Sequence, residues 1–412
     1  MNTEEFITAH RTDDVRMLAL RGCPDAAIDM PYALDQIAGW QTARAKLPSL
    51  AATDGIVFPP HLSMEQCSSE ATACYKARLM ARLVTEAGVT DRARTAFADL
   101  TGGFGIDFMY MSRQFGRATY VERDERLCRL ASHNFSVMGM ANAGVVCTDG
   151  AAFLKQTPPL TAIFLDPARR DSHGAKTVAI ADCTPDAAAL RPLLTAKAAV
   201  VMVKLSPMLD WHKAVADMHG AVTEVHIVAT GGECKELLLV MTAGGCGDVR
   251  LVCANDDAVF ATTEQATRMP CPIAAGDWAA AATDGSPTVS ADEPLWLYEP
   301  NAAVMKAGAF GAVAEAFGLE AVAANSHLFV SRRQVDGFPG RRFRMETVCG
   351  MNKKVLRKRL AGISKANVAV RNFPLTAEAL RRRLALTDGG DTYIFGTTTA
   401  AKSHVIMVGK RF

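Results

Sequence analysis

Residues 97–107 read Phe-Ala-Asp-Leu-Thr-Gly-Gly-Phe-Gly-Ile-Asp. A short apolar run ends at Asp99 in this segment, three glycines follow within four positions, and an amphipathic run extends from Phe108 to Phe115. This order predicts a strand, a tight glycine turn and a helix. Glycine reaches positive φ cheaply and has no Cβ, so a ligand can lie against backbone N–H groups where the helix begins. Such turns also serve packing alone, so the segment by itself leaves both interpretations open.

Three further apolar runs follow the first, and an acid comes at or just after the end of each. The acids are Glu122, Asp149 and Asp166. Glu122 lies about twenty residues after the glycine turn, where a nucleotide-binding α/β unit places a carboxylate for ribose hydroxyls. In an open parallel sheet, ligands bind outside the carboxyl ends of the strands. The sequence therefore predicts that the four acids converge on one cleft.

Taken in order, these motifs resemble those of class I S-adenosylmethionine-dependent methyltransferases over roughly residues 65–242. The resemblance implies S-adenosyl-L-methionine as cofactor. The glycine loop would hold its methionine part, the acid after the second strand its ribose, and the acid after the third strand would face its adenine amine. On this sequence the implied cofactor-binding residues are Asp99, Thr101, Gly103, Gly105, Asp107, Glu122 and Asp149, joined by Thr72 from the preceding helix.

One position departs from the pattern of that class, because Thr101 replaces its first glycine. The resulting form, Asp-x-Thr-x-Gly-x-Gly-x-Asp, resembles that of a group of ribosomal-RNA guanine-N2 methyltransferases. A dehydrogenase is the competing α/β interpretation. The glycine spacing is not G-x-G-x-x-G, however, and an acid-Pro motif after the fourth strand has no role in that class.

The candidate catalytic residues are Asp166, Pro167, Arg169 and Lys204. Methylation of an exocyclic amine needs an oxygen that orients the NH2 group, and Asp166 or the carbonyls of Asp166-Pro167 would serve. The motif Asp-Pro-Ala-Arg lacks the aromatic residue usual in amino methyltransferases, so Arg169 would stack on a base or pair with phosphate. Lys204 ends an apolar strand and either pairs with Asp166 or meets a phosphate. A pyrimidine-C5 mechanism needs a Cys nucleophile, and only Cys183 is near in sequence.

At 412 residues the chain should form two or three domains. Its eleven cysteines include no C-x-x-C pair, which favours neither disulfides nor a metal site and suits a reducing cytoplasm. The start of the sequence shows no signal-peptide pattern, and no run approaches 18 apolar residues. We therefore expect a cytoplasmic protein without a membrane partner.

The domain assignment from sequence has four parts. Residues 1–62 are expected to form a helical subdomain, 63–245 the methyltransferase domain, 246–325 a linker and small insert, which the family resemblance given below implies to be ferredoxin-like, and 326–412 a basic domain. A capping box at Ser63 predicts a helix that continues to about Glu86, whose Ser69, Thr72 and Lys76 would cover the cofactor. A single helix is expected from Pro300 to about Phe317. The expected fold class is thus α/β, with a Rossmann-like sheet and a C-terminal α+β domain.

Charge is concentrated in the last part of the chain. Residues 330–412 contain 18 basic residues and five acids, a balance of +13 on a chain whose total is +2. Such asymmetry indicates a polyanionic partner, although a solvated surface is the alternative. Two basic helices are expected near 352–361 and 376–386, and the RNA-binding residues proposed on them are Lys353, Lys354, Arg357, Lys358, Arg381, Arg382 and Arg383.

The alternation of strands and helices in this region resembles the THUMP-like domain behind methyltransferase domains in a bacterial family, notably at Phe338-Pro339-Gly340-Arg341. THUMP modules bring RNA to modifying enzymes. The resemblance therefore implies an RNA methyltransferase acting on rRNA or tRNA. The alternatives are methylation of a small molecule or a protein, and a cofactor-binding RNA module without turnover.

Overall fold

A computed structural model describes residues 1–22, 25–169, 180–243, 247–275, 289–290 and 293–412. The chain divides into two compact units. The first unit comprises residues 1–225 and 235–247, and the second comprises residues 226–234 and 248–412. Within the described residues, no helix is long and apolar enough to cross a membrane.

The first unit begins with short helices, as the sequence predicted. They are α1 (Thr3–His10), α2 (Val15–Arg21), α3 (Met30–Lys46) and α4 (Pro48–Ala51). Asn2 starts α1 with a capping box that it shares with Glu5, which satisfies two of the free N–H groups at the helix start. Phe6, Leu18 and Ile37 are buried where the helices meet. The subdomain is thus held by its own small apolar core.

The prediction of one helix from Ser63 to Glu86 is wrong. The chain forms α5 (His61–Gln66), takes an extended conformation at Cys67, and starts α6 (Glu70–Glu86) anew. The N-cap is Ser69, whose side chain accepts from the backbone N–H of Thr72. Ser63 lies inside α5 and caps nothing. The break brings Cys67 and Ser68 to the edge of the cleft described below.

A twisted, mostly parallel sheet forms the centre of the first unit. Its order is β9-β7-β4-β1-β2-β3, parallel throughout except for β9, which runs antiparallel to β7. The strands are β1 (Ala96–Asp99), β2 (Arg117–Glu122), β3 (Ala143–Cys147), β4 (Leu160–Leu165), β7 (Ala198–Leu205) and β9 (Glu233–Thr242). A short hairpin, β5 (Ala168–Arg169) with β6 (Cys183–Thr184), follows β4.

Helices connect these strands, so the sheet is Rossmann-like as predicted. They are α7 (Ile106–Met111), α8 (Glu125–Val137), α9 (Gly150–Gln156), α10 (Ala187–Lys197) and α11 (Trp211–Asp217). Aromatic rings fill the space between β1 and α7: Phe97 stacks on Phe115 at 4.9 Å and on Phe108 at 6.0 Å between ring centroids. This packing fixes the strand and the helix that flank the glycine turn.

The second unit contains a hairpin of β10 (Arg250–Asn255) with β11 (Ala258–Thr263), followed by α12 (Glu264–Thr267). Strand β8 comprises Glu224–Thr230. The single helix expected from Pro300 to Phe317 is instead two helices, α13 (Ala302–Ala307) and α14 (Phe310–Phe317). Gly308 separates them in the left-handed conformation that ends α13.

A seven-stranded sheet in the order β13-β14-β12-β15-β18-β17-β16 forms the rest of the second unit. Its strands are β12 (Trp296–Pro300), β13 (Glu320–Ala321), β14 (Phe329–Ser331), β15 (Gly340–Gly350), β16 (Asn367–Arg371), β17 (Thr392–Thr398) and β18 (His404–Arg411). The sheet is curled, since Arg371 on β16 donates to Glu299 on β12 at 2.7 Å across three intervening strands.

Two helices, α15 (Lys353–Arg359) and α16 (Ala377–Arg383), pack on one face of this sheet. Their N-caps are Asn352 and Thr376. Leu356 and Leu380 point into the core between the helices and the sheet. The opposite face carries a second core that includes Phe343, Phe395 and Met407. The C-terminal part is therefore the α+β domain that the sequence predicted.

Candidate functional site

The glycine turn after β1 has the backbone that its sequence requires. Gly103 and Gly105 have φ of +54° and +87°, in the left-handed region. A Cβ on Gly103 would meet no protein atom closer than 3.9 Å, whereas one on Gly102 would lie 2.1 Å from the Tyr120 ring. Gly102 is thus needed for packing. Gly103 lines the cleft and leaves its surface open to a ligand.

Glu122, at the end of β2, holds this turn in place. Its Oε2 accepts from the N–H of Gly103 at 2.9 Å. Its Oε1 accepts from the N–H groups of Arg123 at 2.8 Å and Asp124 at 2.9 Å. Charge-assisted bonds of this kind are the stronger ones in proteins. The carboxylate is therefore fixed in orientation at the cleft wall.

The prediction that four acids converge is confirmed. Asp99, Glu122, Asp149 and Asp166 line one cleft of about 840 Å³ at the carboxyl ends of β1–β4. Gln66, Ser68, Lys204 and Lys235 also line it. Pockets of this size hold drug-sized ligands. Of the other predicted site residues, Thr101, Gly103, Gly105, Asp107 and Pro167 line the same cleft.

Thr101, the departure from the usual glycine, connects two of these motifs. Its hydroxyl accepts from the N–H of Asp166 at 2.6 Å. Its own N–H donates to Asp99 Oδ1 at 3.0 Å. A glycine here would lose the first of these bonds, because it has no hydroxyl. Thr101 thus ties the glycine turn to the start of the Asp-Pro motif.

Lys204 makes the ion pair that the sequence offered as one of two alternatives. Its Nζ lies 2.5 Å from Asp166 Oδ2 and 3.9 Å from Asp107 Oδ2. The Lys204 side chain is 12 % exposed and that of Asp166 36 %. Among the described residues, Asp166 Oδ1 has no hydrogen-bond partner. One oxygen of Asp166 is therefore held by the protein and the other is open to the cleft.

A buried ion cluster lies beside Lys204 and Asp107. The sequence indicated Lys76 and Asp107 but not Glu236, which pairs with Lys76. Lys76, which is fully buried, pairs with Glu236 and lies 3.1 Å from Asp107 Oδ1. The hydroxyl of Ser68 donates to Asp107 Oδ2 at 2.7 Å and contacts Glu236 Oε1 at 3.1 Å. Glu236 lies 160 residues from Lys76 in the chain, so no local sequence signal reveals the pair.

The electrostatics follow from this burial. Desolvation raises the pKa of Asp99 well above its usual value, and the bond from the Thr101 N–H only partly opposes this. Desolvation also raises the pKa of Asp166, although Lys204 pulls it down. Burial lowers the pKa of Lys204, but the charges of Asp166, Asp107 and Glu236 outweigh burial and raise it overall. Lys204 is therefore a permanent cation at the cleft floor.

Two predicted site residues are not placed with the others. Thr72 is 1 % exposed and does not line the cleft. Its hydroxyl donates to the Ser69 carbonyl at 3.1 Å, so it stabilises the start of α6. The backbone of Arg169 pairs with Cys183 in the β5–β6 hairpin, and its side chain lies outside what the structure describes. Cys183 is buried and lines the cleft.

The basic residues of α15 and α16 point outward, because the leucines of both helices face the core. Two of them are only partly exposed: Arg381, which pairs with Asp388 at 2.7 Å and is 29 % exposed, and Arg359. The exposed members of the predicted RNA-binding set are Lys353, Lys354, Arg357, Lys358, Arg382 and Arg383. The prediction of two outward basic helix faces on this domain is confirmed.

Comparison with known proteins identifies the fold of both units. Residues 296–339 match a ferredoxin-like domain family and residues 340–411 a THUMP domain-like family. The chain is also similar to a candidate methyltransferase of known structure from Porphyromonas gingivalis W83. The two are 28 % identical, the similarity covers 100 % of this chain and 99 % of the other, and the TM-score is 0.80. The chain thus carries C-terminal ferredoxin-like and THUMP-like domains, and as a whole it shares the fold of this methyltransferase-fold structure.

Shorter matches cover less than half of the chain. An rRNA methylase from Streptococcus thermophilus is 12 % identical over 40 % of this chain and 94 % of its own, with a TM-score of 0.31. An S-adenosylmethionine-dependent methyltransferase from Agrobacterium tumefaciens is 16 % identical over 40 % of this chain and 62 % of its own, with a TM-score of 0.31. No curated protein matches the sequence.

Proposed function

We propose that this protein is an S-adenosylmethionine-dependent methyltransferase that modifies a base in RNA, with an exocyclic amine as the acceptor. The observation that carries the proposal is the arrangement of the two carboxylate oxygens of Asp166. One of its oxygens is fixed by Lys204 and the other is open, in a cleft that also holds the glycine turn. The THUMP-like domain in the same chain supplies the argument for RNA.

The cleft fits this cofactor on chemical grounds. Asp99 is 1 % exposed and has one backbone hydrogen bond, from Thr101, so a buried carboxylate there favours a cationic partner such as the ammonium group of a methionine. Gly103 provides backbone without a Cβ beside it. Glu122 and the exposed Asp149 offer carboxylates for ribose hydroxyls and for an adenine amine. When bound, S-adenosylmethionine supplies an electrophilic methyl group.

The residues of the chain would orient the acceptor. The open Oδ1 of Asp166, together with the carbonyls of Asp166 and Pro167, can accept from an exocyclic NH2 and direct its lone pair. As the amine gains positive charge, the Asp166 carboxylate stabilises it electrostatically. Lys204 holds that carboxylate in one orientation and opposes the rise in its pKa that burial causes. Arg169 is proposed as the residue that stacks on the base or meets its phosphate.

RNA would be bound chiefly through phosphates on the outward faces of α15 and α16. The local balance of +13 over residues 330–412 attracts a polyanion. Neutralised phosphates release counterions, so the affinity should fall with salt, with a log–log slope of about −0.7 per contact on single strands.

The test is transfer of a radiolabelled methyl group from S-adenosylmethionine to total RNA from cells that lack the gene, followed by nucleoside analysis. We expect label in one methylated nucleoside with the wild-type protein, and labelling slower by about 10²-fold or more with Asp166→Asn. Label in protein or in small molecules alone would favour the competing methyltransferase function. Binding of S-adenosylhomocysteine without transfer to any pool would make the protein a cofactor-binding module, and binding of NAD instead would overturn the cofactor assignment.

A further inference from the structure

Three residues on neighbouring strands of the second unit present their side chains on one face of the curled sheet. Trp296 on β12 lies opposite Arg344 on β15, and Arg344 lies opposite Lys410 on β18. Residues directly opposite in antiparallel strands share a face. Arg342 shares it as well, since it precedes Arg344 by two positions. An aromatic ring and three cations therefore lie side by side.

A second ring completes this surface. Phe412 is 39 % exposed, and its ring lies 4.6 Å from that of Trp296 at an interplanar angle of 65°. The Arg342 guanidinium lies 4.9 Å from the centre of Phe412, and the Arg344 guanidinium 5.9 Å from the centre of Trp296. Both distances are within cation–π range. We name Trp296, Arg342, Arg344, Lys410 and Phe412 the sheet platform.

The platform lies on the same side of the sheet as the basic helices. Val408, two residues before Lys410, packs in the core beneath α15 and α16 with Leu356 and Leu380. Alternate residues of a strand point to the same face. The helices thus cover one end of this face, and the platform occupies the other end.

The platform remains cationic after its neighbouring acids are counted. Arg342 pairs with Asp336 at 2.9 Å, and Lys410 pairs with Glu346 at 3.6 Å. Both acids are well exposed, at 83 % and 49 %, so water screens these pairs. Arg344 is exposed and has no ion-pair partner among the described residues. Three cations face two acids, which favours a polyanion.

We propose that the sheet platform binds single-stranded RNA by stacking bases on Trp296 and Phe412, a proposal that rests on the RNA-directed function above. Stacking on aromatic rings accepts any base, because every base has a π-face. The bases of a duplex are stacked on one another and do not offer these faces. The cations beside the rings contact the phosphates that join the stacked bases. The platform therefore distinguishes single-stranded from paired RNA, whereas the basic helices contact both.

The test compares the full chain on a fluorescein-labelled single-stranded RNA and on the same strand annealed to its complement, by anisotropy at several salt concentrations. We expect Phe412→Ala to weaken single-strand binding about tenfold, the scale of one lost stacking contact. Duplex binding and the salt slope should not change. Trp296→Leu should likewise weaken binding of the single strand only. The control is Val259→Ala, at a 60 % exposed site in the same unit, which should leave binding of both RNAs unchanged.

The charge variant Arg382→Gln/Arg383→Gln gives the opposite pattern, a flatter salt slope and weaker binding to both RNAs. If Phe412→Ala binds the single strand as tightly as wild type, or loses the same factor on both RNAs, the platform proposal is overturned while RNA binding stands. If the wild-type protein binds neither RNA, the proposed RNA function fails and the platform with it. Phe412 is 39 % exposed, and circular dichroism of Phe412→Ala shows whether the variant keeps the wild-type fold.

Discussion

Replacing Lys76 by Met should destabilise the protein strongly, because it leaves Glu236 buried without its ion-pair partner and removes from Asp107 the nearer of its two cations. Lys76 is fully buried, and the side chains of its partners Glu236 and Asp107 are 4 % and 9 % exposed. Removing one member of a buried ion pair typically costs about 3–5 kcal/mol, since the remaining charge keeps its desolvation penalty. Domains are commonly stable by only about 5–15 kcal/mol. The variant should therefore lose a large part of the stability of the first unit.

The loss of unfolding free energy in Lys76→Met should depend on pH, and the pKa of Glu236 gives the direction of this dependence. In the wild type the pKa of Glu236 is lowered: burial alone would raise it, but Lys76 and Lys204 outweigh burial. Its contribution to stability is thus present above the unfolded pKa of about 4.3 and is lost as the pH falls through the folded value. In Lys76→Met the folded pKa should instead rise above the unfolded one, so that stability is lost as the pH rises. The deficit of the variant should be largest near pH 7.5 and smaller near pH 5.

Urea unfolding of the full chain, followed by circular dichroism and tryptophan fluorescence at both pH values, measures this deficit. The matched control is Arg78→Met, which removes an exposed cation from the same helix and should change stability by no more than about 0.5 kcal/mol. A loss below about 1 kcal/mol for Lys76→Met at pH 7.5, or an equal loss at both pH values, would refute the reasoning.

Three further results are expected. Asp166→Asn should keep affinity for S-adenosylhomocysteine but lower single-turnover methyl transfer by about 10²-fold or more; lost affinity with a normal rate would make Asp166 structural. Gly103→Ala should weaken that affinity at least tenfold by calorimetry while the Tm falls only a few degrees, because the Cβ meets no protein atom within 3.9 Å and an alanine at positive φ costs about 1 kcal/mol. Arg382→Gln/Arg383→Gln should flatten the salt dependence of RNA binding, and an unchanged slope in filter binding would exclude α16 from the interface.

The parts that sequence predicted well are those with strong local patterns. The four acids were predicted from their places after successive strands, and Lys204 from its place at the end of an apolar strand. The N-caps Asn352 and Thr376 are local signals of the same kind, because a side-chain acceptor precedes a helical pattern at each. Such features depend on residues within a few positions of one another.

The misses have physical reasons. Ser63 began a sequence typical of a capping box, yet the extended backbone at Cys67 ended that helix and Ser69 capped the next. Gly308 was a visible signal for the break between α13 and α14, but the apolar periodicity on both sides concealed it. The places of Lys76 and Thr72 depend on what packs against α6, which periodicity cannot supply.

The partners that complete both candidate sites come from distant parts of the chain. Glu236 reaches Lys76 through the antiparallel placement of β9. Trp296 and Phe412 meet only because three strands align in one register. Single-sequence reasoning could name the residues that carry charge but not which of them would share a surface.

The link between Lys76 and Glu236 also bears on how the protein is made. Lys76 on helix α6 leaves the ribosome 160 residues before Glu236, the later of the two acids that pair with this buried cation, and domains are generally completed as their chain emerges. Until β9 is synthesised, Lys76 can stay solvated only if α6 is not yet packed down on the sheet. The floor of the cleft is thus expected to close late, after the emergence of β9, and a nascent chain stalled before residue 236 should hold α6 open to protease.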